Sequence, residues 1–231
     1  ECAGGVTAAQ GFVAGGSYCG IRKAKKDLAI IRSETPATVA GVFTLNKTQA
    51  APILVDKIQL KKSPSCSAIV VNSGNANACT GERGLNDAWE MIRTTAQLLD
   101  IPDEQVMVSS TGVIGQYLPM EKIIPGIRQL SGQLSRGGNK EAAEAIMTTD
   151  TYSKEVAVQF TLGSSVVTVG GMAKGSGMIA PNMATMLAFL TSDAAIAQPV
   201  LQKALKSANN KSFNRITVDG DMSTNDMALI L

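Results

Sequence analysis

Short runs rich in valine and isoleucine alternate along this chain with longer stretches of helical period, a pattern that predicts a layered α/β or α+β fold. Leu28 to Ile31, Val39 to Thr44, Ala68 to Val71 and Val106 to Val108 read as strands. Between the last two, Leu85, Ala88, Trp89, Ile92, Ala96 and Leu99 recur at helical spacing and so share one face, and Pro102 follows the helix end. Trp89 lies on that stripe, where core packing explains it better than ligand stacking. A second helix starts near Pro119 and carries Met120, Ile123, Ile124 and Ile127, with Pro125 and Gly126 expected to bend it. Gly132 to Gly138 reads as a flexible stretch, and Glu141 to Met147 as a short helix leading into Thr148-Thr-Asp-Thr151.

The period then changes to two. Val156, Val158, Phe160 and Leu162 alternate with Glu155, Gln159 and Thr161, and Gly163-Ser164 turns the chain into Val166 to Val169 and the pair Gly170-Gly171. Further on, Met186 to Thr191 reads as a buried strand, Pro199 to Ala208 as a helix and Arg215 to Val218 as another strand. No repeat, low-complexity tract or linker forces a domain boundary.

Composition narrows the classes of function. The 231 residues suffice for one large domain or two small ones, and 45% of them are hydrophobic, enough for a globular core. The net charge is only +2, and the basic residues are scattered apart from Arg22-Lys-Ala-Lys-Lys26, which reads as a solvated loop, so nucleic acid is a poor partner. No apolar run reaches the roughly 18 to 20 residues of a membrane span, and the first residues lack an export signal, so a soluble, cytoplasmic chain is expected. Cys2, Cys19, Cys66 and Cys79 show no paired spacing and there is no histidine to join them, which argues for free, buried thiols and against a metal site. The chain starts at Glu1 and stops inside the apolar run Met227 to Leu231, as a fragment would.

The absence of histidine also bears on chemistry. Acyl transfer must find its general base elsewhere, and a threonine that becomes a new N-terminus brings its own amine. Thr185 follows a glycine-rich, turn-prone approach from Lys174 and ends a small-residue pair, Ala184-Thr185, where the chain is expected to cut itself. Within Val169 to Gly177 the glycines invite a phosphate-loop reading, but Lys174 precedes Gly175 and Pro181 stands where a helix should open. That leaves a tight surface loop, or a substrate loop in which Lys174 pairs with a carboxylate. Asp219 to Asp226 resembles a calcium loop until Thr224 and Ile230 occupy the positions that need glycine and glutamate, which leaves turn chemistry or active-site hydrogen bonding. Ser109-Ser-Thr-Gly-Val113 follows a strand and offers hydroxyls and a flexible amide for an oxyanion hole. Asn72 to Asn77 is a second polar turn after a strand, suited to loop structure or to lining a cleft.

Six segments, taken together, carry a family resemblance: Gly4-Gly-Val-Thr7 with Gly11-Phe12, Ala40 to Thr44, Asn72 to Asn77, Ser109 to Gly115, Met147 to Thr151, and Lys174 to Leu187. In that order, along essentially the whole chain, they resemble the ornithine acetyltransferase family, also called glutamate N-acetyltransferases or bifunctional arginine biosynthesis proteins. The resemblance implies an N-terminal-nucleophile-type sandwich of sheets flanked by helices. It implies self-cleavage between Ala184 and Thr185, giving an α chain over 1–184 and a β chain of which 185–231 is the start. Thr185 then matches the nucleophile, Thr111 and Gly112 the oxyanion pair, and Thr148, Lys174 and Thr185 the substrate contacts, with Thr149 and Thr151 close enough to stand in for Thr148. The implied reaction moves acetyl from N2-acetylornithine to glutamate through an acetyl-enzyme, yielding ornithine and N-acetylglutamate, in an α2β2 heterotetramer without a cofactor and with acetyl-CoA open as a co-substrate. Two other readings remain: an N-terminal-nucleophile amide hydrolase or aminopeptidase, with water as the acceptor, and a non-catalytic small-molecule binding domain. Family members continue beyond residue 231, where the rest of their substrate-binding residues lie, an acidic one included.

Overall fold

The computed structural model describes residues 1–178 and 186–231. After a short turn of 3-10 helix at Gly5–Thr7 come β1 (Phe12–Ser17), β2 (Leu28–Thr38), β3 (Ala40–Phe43), α1 (Ala51–Lys62), β4 (Ser65–Asn75) and α2 (Gly81–Leu99). The chain continues through β5 (Val106–Val113), α3 (Met120–Ser131), α4 (Asn139–Ala145), β6 (Lys154–Leu162) and β7 (Ser165–Lys174) to β8 (Leu187–Ser192), α5 (Gln198–Lys211) and β9 (Met227–Ile230). A four-stranded sheet has the order β1-β2-β4-β5 and a five-stranded sheet the order β3-β9-β8-β7-β6. Each is mixed: β4 and β5 run parallel, as do β8 and β9, and the other neighbours are antiparallel.

Strand periodicity builds the layers. Ile31, Ile69, Val71 and Met107 of the first sheet share a buried cluster with Met172, Leu187, Phe189, Met227 and Leu229 of the second, so the main core lies between the sheets. One residue along, Leu28, Ile30, Val70, Val106 and Val108 point the other way, against Met91 and Ile92 of α2 and Ile123 and Ile127 of α3. On the far side, Ala188 and Ala228 pack beneath Leu201 and Leu205 of α5. Helices, sheet, sheet and helix thus stack in sequence, each large buried side chain contributing roughly 1.5–3 kcal/mol of burial.

The amphipathic stripe of α2 is buried as its spacing predicts, with Trp89 at its edge under Lys62, whose Nζ stands 5.0 Å from the ring centroid. α3 passes through both Pro125 and Gly126. Three expectations fail. Arg215 to Val218 is not a strand: Arg215 closes a 3-10 turn, and Ile216 and Val218 are exposed and pair with no strand among the described residues. Gly132 to Gly138 is pinned rather than loose, because Ser135 and Ala14 exchange two backbone hydrogen bonds of 3.0 Å and a Cβ on Gly138 would overlap the Ala14 carbonyl. Only Cys66 among the four cysteines is buried, while Cys2 and Cys19 are half-buried and Cys79 is exposed. Among the described residues no helix is long and apolar enough to cross a membrane.

Candidate active site

The parallel pair β4 and β5 ends in a constriction. Gly74 and Gly112 stand opposite each other with φ of 100° and 136°, conformations that side chains resist. A Cβ on Gly112 would overlap the backbone of Gly74, so glycine there is a requirement of the close approach. Thr111, buried beside it, is held in a strand that is tied to its surroundings by polar side chains. Ser110 Oγ donates to Asn72 Oδ1 at 2.6 Å, and Asn72 Nδ2 donates to the Asn75 carbonyl at 2.9 Å. Asn225 Nδ2 arrives from the other sheet and bonds the carbonyls of Ala76 and Ser110 at 2.6 and 2.8 Å. Two strand ends and the segment before β9 are thereby fixed to one another.

From the five-stranded sheet comes Lys174, the last residue of β7, in register with Leu187 at the start of β8. A cavity of about 500 Å³ lies between the two sheet ends, lined by Thr111 and Gly112 on one side and by Thr148, Thr149 and Lys174 on the other. The structure therefore brings together Thr111, Gly112, Thr148 and Lys174. Of the two alternatives to Thr148, Thr149 shares the cavity, its Oγ1 2.5 Å from Ser176 Oγ, and Thr151 does not line it. Ala184 and Thr185 lie outside the described residues. The described chain resumes at Met186, whose N–H donates to Asp226 Oδ1 at 2.8 Å and whose carbonyl accepts from Met227 N–H at 3.0 Å.

The charges around the cavity are strongly perturbed. Burial pulls the Lys174 ammonium down to about 8, against the opposing fields of Asp150 and Asp226, with Lys154 adding to the depression. Burial pushes Asp226 up to about 7, although the Met186 N–H, the Lys174 charge and nearby Ser223 work the other way. Asp150 behaves differently: burial would raise it, but Lys154 Nζ at 2.6 Å, Gly175 N–H at 2.9 Å and Thr148 N–H at 3.3 Å outweigh burial and hold it below the usual range.

Arg22 corrects the reading of residues 22 to 26 as a merely solvated loop. Its guanidinium reaches the carbonyls of Met147 and Thr148 at 2.7 and 3.0 Å, and its side chain lines the cavity. Asp150, Asn225 and Asp226 also escaped the sequence reading. Asp150 sits inside the Met147 to Thr151 segment and Asp226 ends an acidic turn, so the only available signal was their position in segments already singled out.

A family model described as the ArgJ family matches residues 13–231. An arginine biosynthesis bifunctional protein ArgJ from Caldanaerobacter subterraneus subsp. tengcongensis is 52% identical over 222 residues, 96% of this chain and 55% of the relative. The chain spans about half the length of the curated relatives it matches. Among solved structures, the ornithine acetyltransferase of Mycobacterium tuberculosis complexed with ornithine is similar at a TM-score of 0.68 and 40% identity, over 77% of this chain and 94% of that one. A likeness of fold alone, with a TM-score of 0.59 and 12% identity over 98% of this chain and 73% of the other, extends to the L-aminopeptidase D-Ala-esterase/amidase of Ochrobactrum anthropi, a variant of the Ntn hydrolase fold. The α/β architecture is accordingly the expected N-terminal-nucleophile-type sandwich of sheets flanked by helices. By its sequence, its layers and the residues gathered at this cavity, the chain belongs to the ArgJ family.

Proposed function

We propose that this protein is a self-cleaving acetyltransferase of arginine biosynthesis that moves acetyl from N2-acetylornithine to glutamate. The observation that carries the reading is the meeting of Thr111 and Gly112 with Lys174 at one cavity, where Lys174 stands opposite Leu187 at the start of β8, and Met186, anchored by Asp226 just before that strand, directly follows Thr185 in the chain. Consecutive Cα atoms lie about 3.8 Å apart, which keeps a nucleophile at 185 within a residue's reach of that anchor.

In the proposed cycle, Thr185 Oγ attacks the Ala184 carbonyl, the peptide shifts to an ester, and water releases an α chain over 1–184 and a β chain that starts at Thr185. The freed amine, with a reference pKa of about 7.7 to 8, serves as general base in a chain that has no histidine. Thr185 Oγ then accepts acetyl from N2-acetylornithine, ornithine leaves, and the glutamate amine takes the acetyl group. Thr111 and Gly112 stabilise the tetrahedral oxyanion, Lys174 binds a substrate carboxylate as a point charge, and Thr148 contacts the substrate. No cofactor enters the cycle, with acetyl-CoA open as a co-substrate; the two chains stay together as an α2β2 heterotetramer, and the protein works in the cytoplasm.

Intact mass spectrometry with N2-acetylornithine, in the presence and absence of glutamate, tests the reading. Two chains split at 184/185, an acetyl adduct on the second, and glutamate-dependent N-acetylglutamate are expected. Ornithine release without any need for glutamate would instead make the protein an amide hydrolase.

A further inference from the structure

We infer that Asp226 is a positioning residue, which clamps the backbone N–H of Met186 and helps keep Lys174 charged; the inference rests on the reading of Thr185 as nucleophile. Asp226 immediately precedes β9, which runs parallel to β8 with Leu187 opposite Met227. Its carboxylate takes the Met186 N–H at 2.8 Å, while the next residue, Met227, gives its own N–H to the Met186 carbonyl at 3.0 Å. Residue 186 is thus held at both of its backbone polar groups by two consecutive residues. Asp226 is in turn fixed through its own carbonyl, which accepts the Thr44 N–H at 2.9 Å.

Packing alone does not call for a carboxylate here. Asp226 is 1% exposed, and its Oδ2 is buried without a hydrogen-bond partner among the described residues, a costly arrangement that a smaller apolar side chain would avoid. What distinguishes a carboxylate is its field at Lys174. The charged groups acting on Lys174 are Asp150 and Asp226, which favour its ammonium, and Lys154, which opposes it; Arg22, Asp219 and Asp221 line the same cavity. Asp150 is already bonded by Lys154 and by two backbone amides, whereas Asp226 forms no ion pair with any lysine or arginine among the described residues. Asp150 is the larger of the two favourable fields at Lys174, and Asp226 adds to it.

The two roles separate in a pair of variants. Asp226→Asn keeps an oxygen for the Met186 N–H but removes the charge, and Asp226→Ala removes both. In the full-length protein, amide hydrogen exchange at Met186 should remain protected in the Asn variant and accelerate by roughly tenfold or more in the Ala variant. The Lys174 side-chain titration, followed by NMR, should move to lower pH in Asn by about half a unit or more, and the alkaline limb of acetyl transfer should move with it. Self-cleavage should continue in Asn and slow in Ala. Unchanged Met186 exchange in Ala, or an unmoved Lys174 midpoint in Asn, overturns the inference; if Ala does not fold, the Asn titration decides it alone. Loss of acetyl transfer in the unmutated protein would refute the acetyltransferase reading, while exchange and titration would still test the clamp and the charge.

Discussion

The four-stranded sheet brings mainly neutral parts to the cavity, with Arg22 of the loop between β1 and β2 the charged exception: the ends of β4 and β5, two facing glycines, a buried threonine and a network of serine and asparagine side chains. The five-stranded sheet brings Lys174 to the cavity at the end of β7 and holds Asp226, which does not line it, at the entry to β9; both are buried and both displaced from their ordinary ionisation ranges. One wall works through shape, since only backbone amides and small groups fit where Gly112 meets Gly74. The other works through charge, and burial decides how easily that charge is lost. The sheets also differ on their outer faces. Helices α1, α2 and α3 pack on the first, whereas α5 packs near β3, β8 and β9 and leaves Val156, Phe160 and Leu162 of the edge strand β6 exposed.

Removing the proposed nucleophile should have the largest effect. Thr185→Ala is expected to give one intact chain and no acetyl adduct by mass spectrometry, and normal processing in this variant would end the assignment. On the neutral wall, Thr111→Ala should slow acetyl-enzyme formation by roughly 10²–10³-fold, the usual loss for one oxyanion donor, with little change in KM. A change confined to KM would place Thr111 in substrate binding instead. On the charged wall, Lys174→Met should raise KM for both amino-acid substrates by about 10-fold to 150-fold, the worth of a hydrogen bond to a charged group. The same lysine gives a pH dependence: the ammonium is lost as pH rises through about 8, so transfer should fall on that side, and the Met variant should lack that limb.

The smallest effect probes a buried acid on the side of the neutral wall. Asp56 of α1 accepts the Val108 N–H at 2.9 Å, and complete burial raises its carboxyl well above the usual range. A raised acid destabilises the fold increasingly as pH climbs from its unfolded value, about 3.9, toward its folded one. Asp56→Asn keeps the acceptor and removes that penalty, so its stability advantage in urea should be greater at pH 7 than at pH 4. An equal difference at both values would show that Asp56 is not protonated in the folded protein.

Legibility in the sequence followed how closely each pattern matched its burial. The stripe from Leu85 to Leu99 marked α2 because its apolar residues do face the core. α1 passed unnoticed because its faces are mixed: Asp56 and Gln59 are buried beside Ile53 and Val55, while Leu54 and Ile58 are exposed. Gln59 Nε2 spans the carbonyls of Asp103 and Val106, a partnership that no local pattern announces. The opposite error occurred at Arg215 to Val218, where β-branched residues suggested a strand but the chain closes a 3-10 turn and leaves Ile216 and Val218 exposed. Thr111, Gly112, Thr148 and Lys174 stood out through the family resemblance, and the structure gathers them at one cavity. Arg22 looked like part of a surface charge run until its bonds to Met147 and Thr148 were seen.

By itself the sequence determined the alternation of strands and helices, the family, and the lack of an imidazole base, because these depend on local spacing and residue identity. The tertiary structure alone decided that the ends of β5 and β7 share a cavity, that Asp226 grips the residue after Thr185, and that Lys174 titrates near 8. Those outcomes depend on which strands pair across large separations in the chain and on how much water they exclude, neither of which a local pattern encodes.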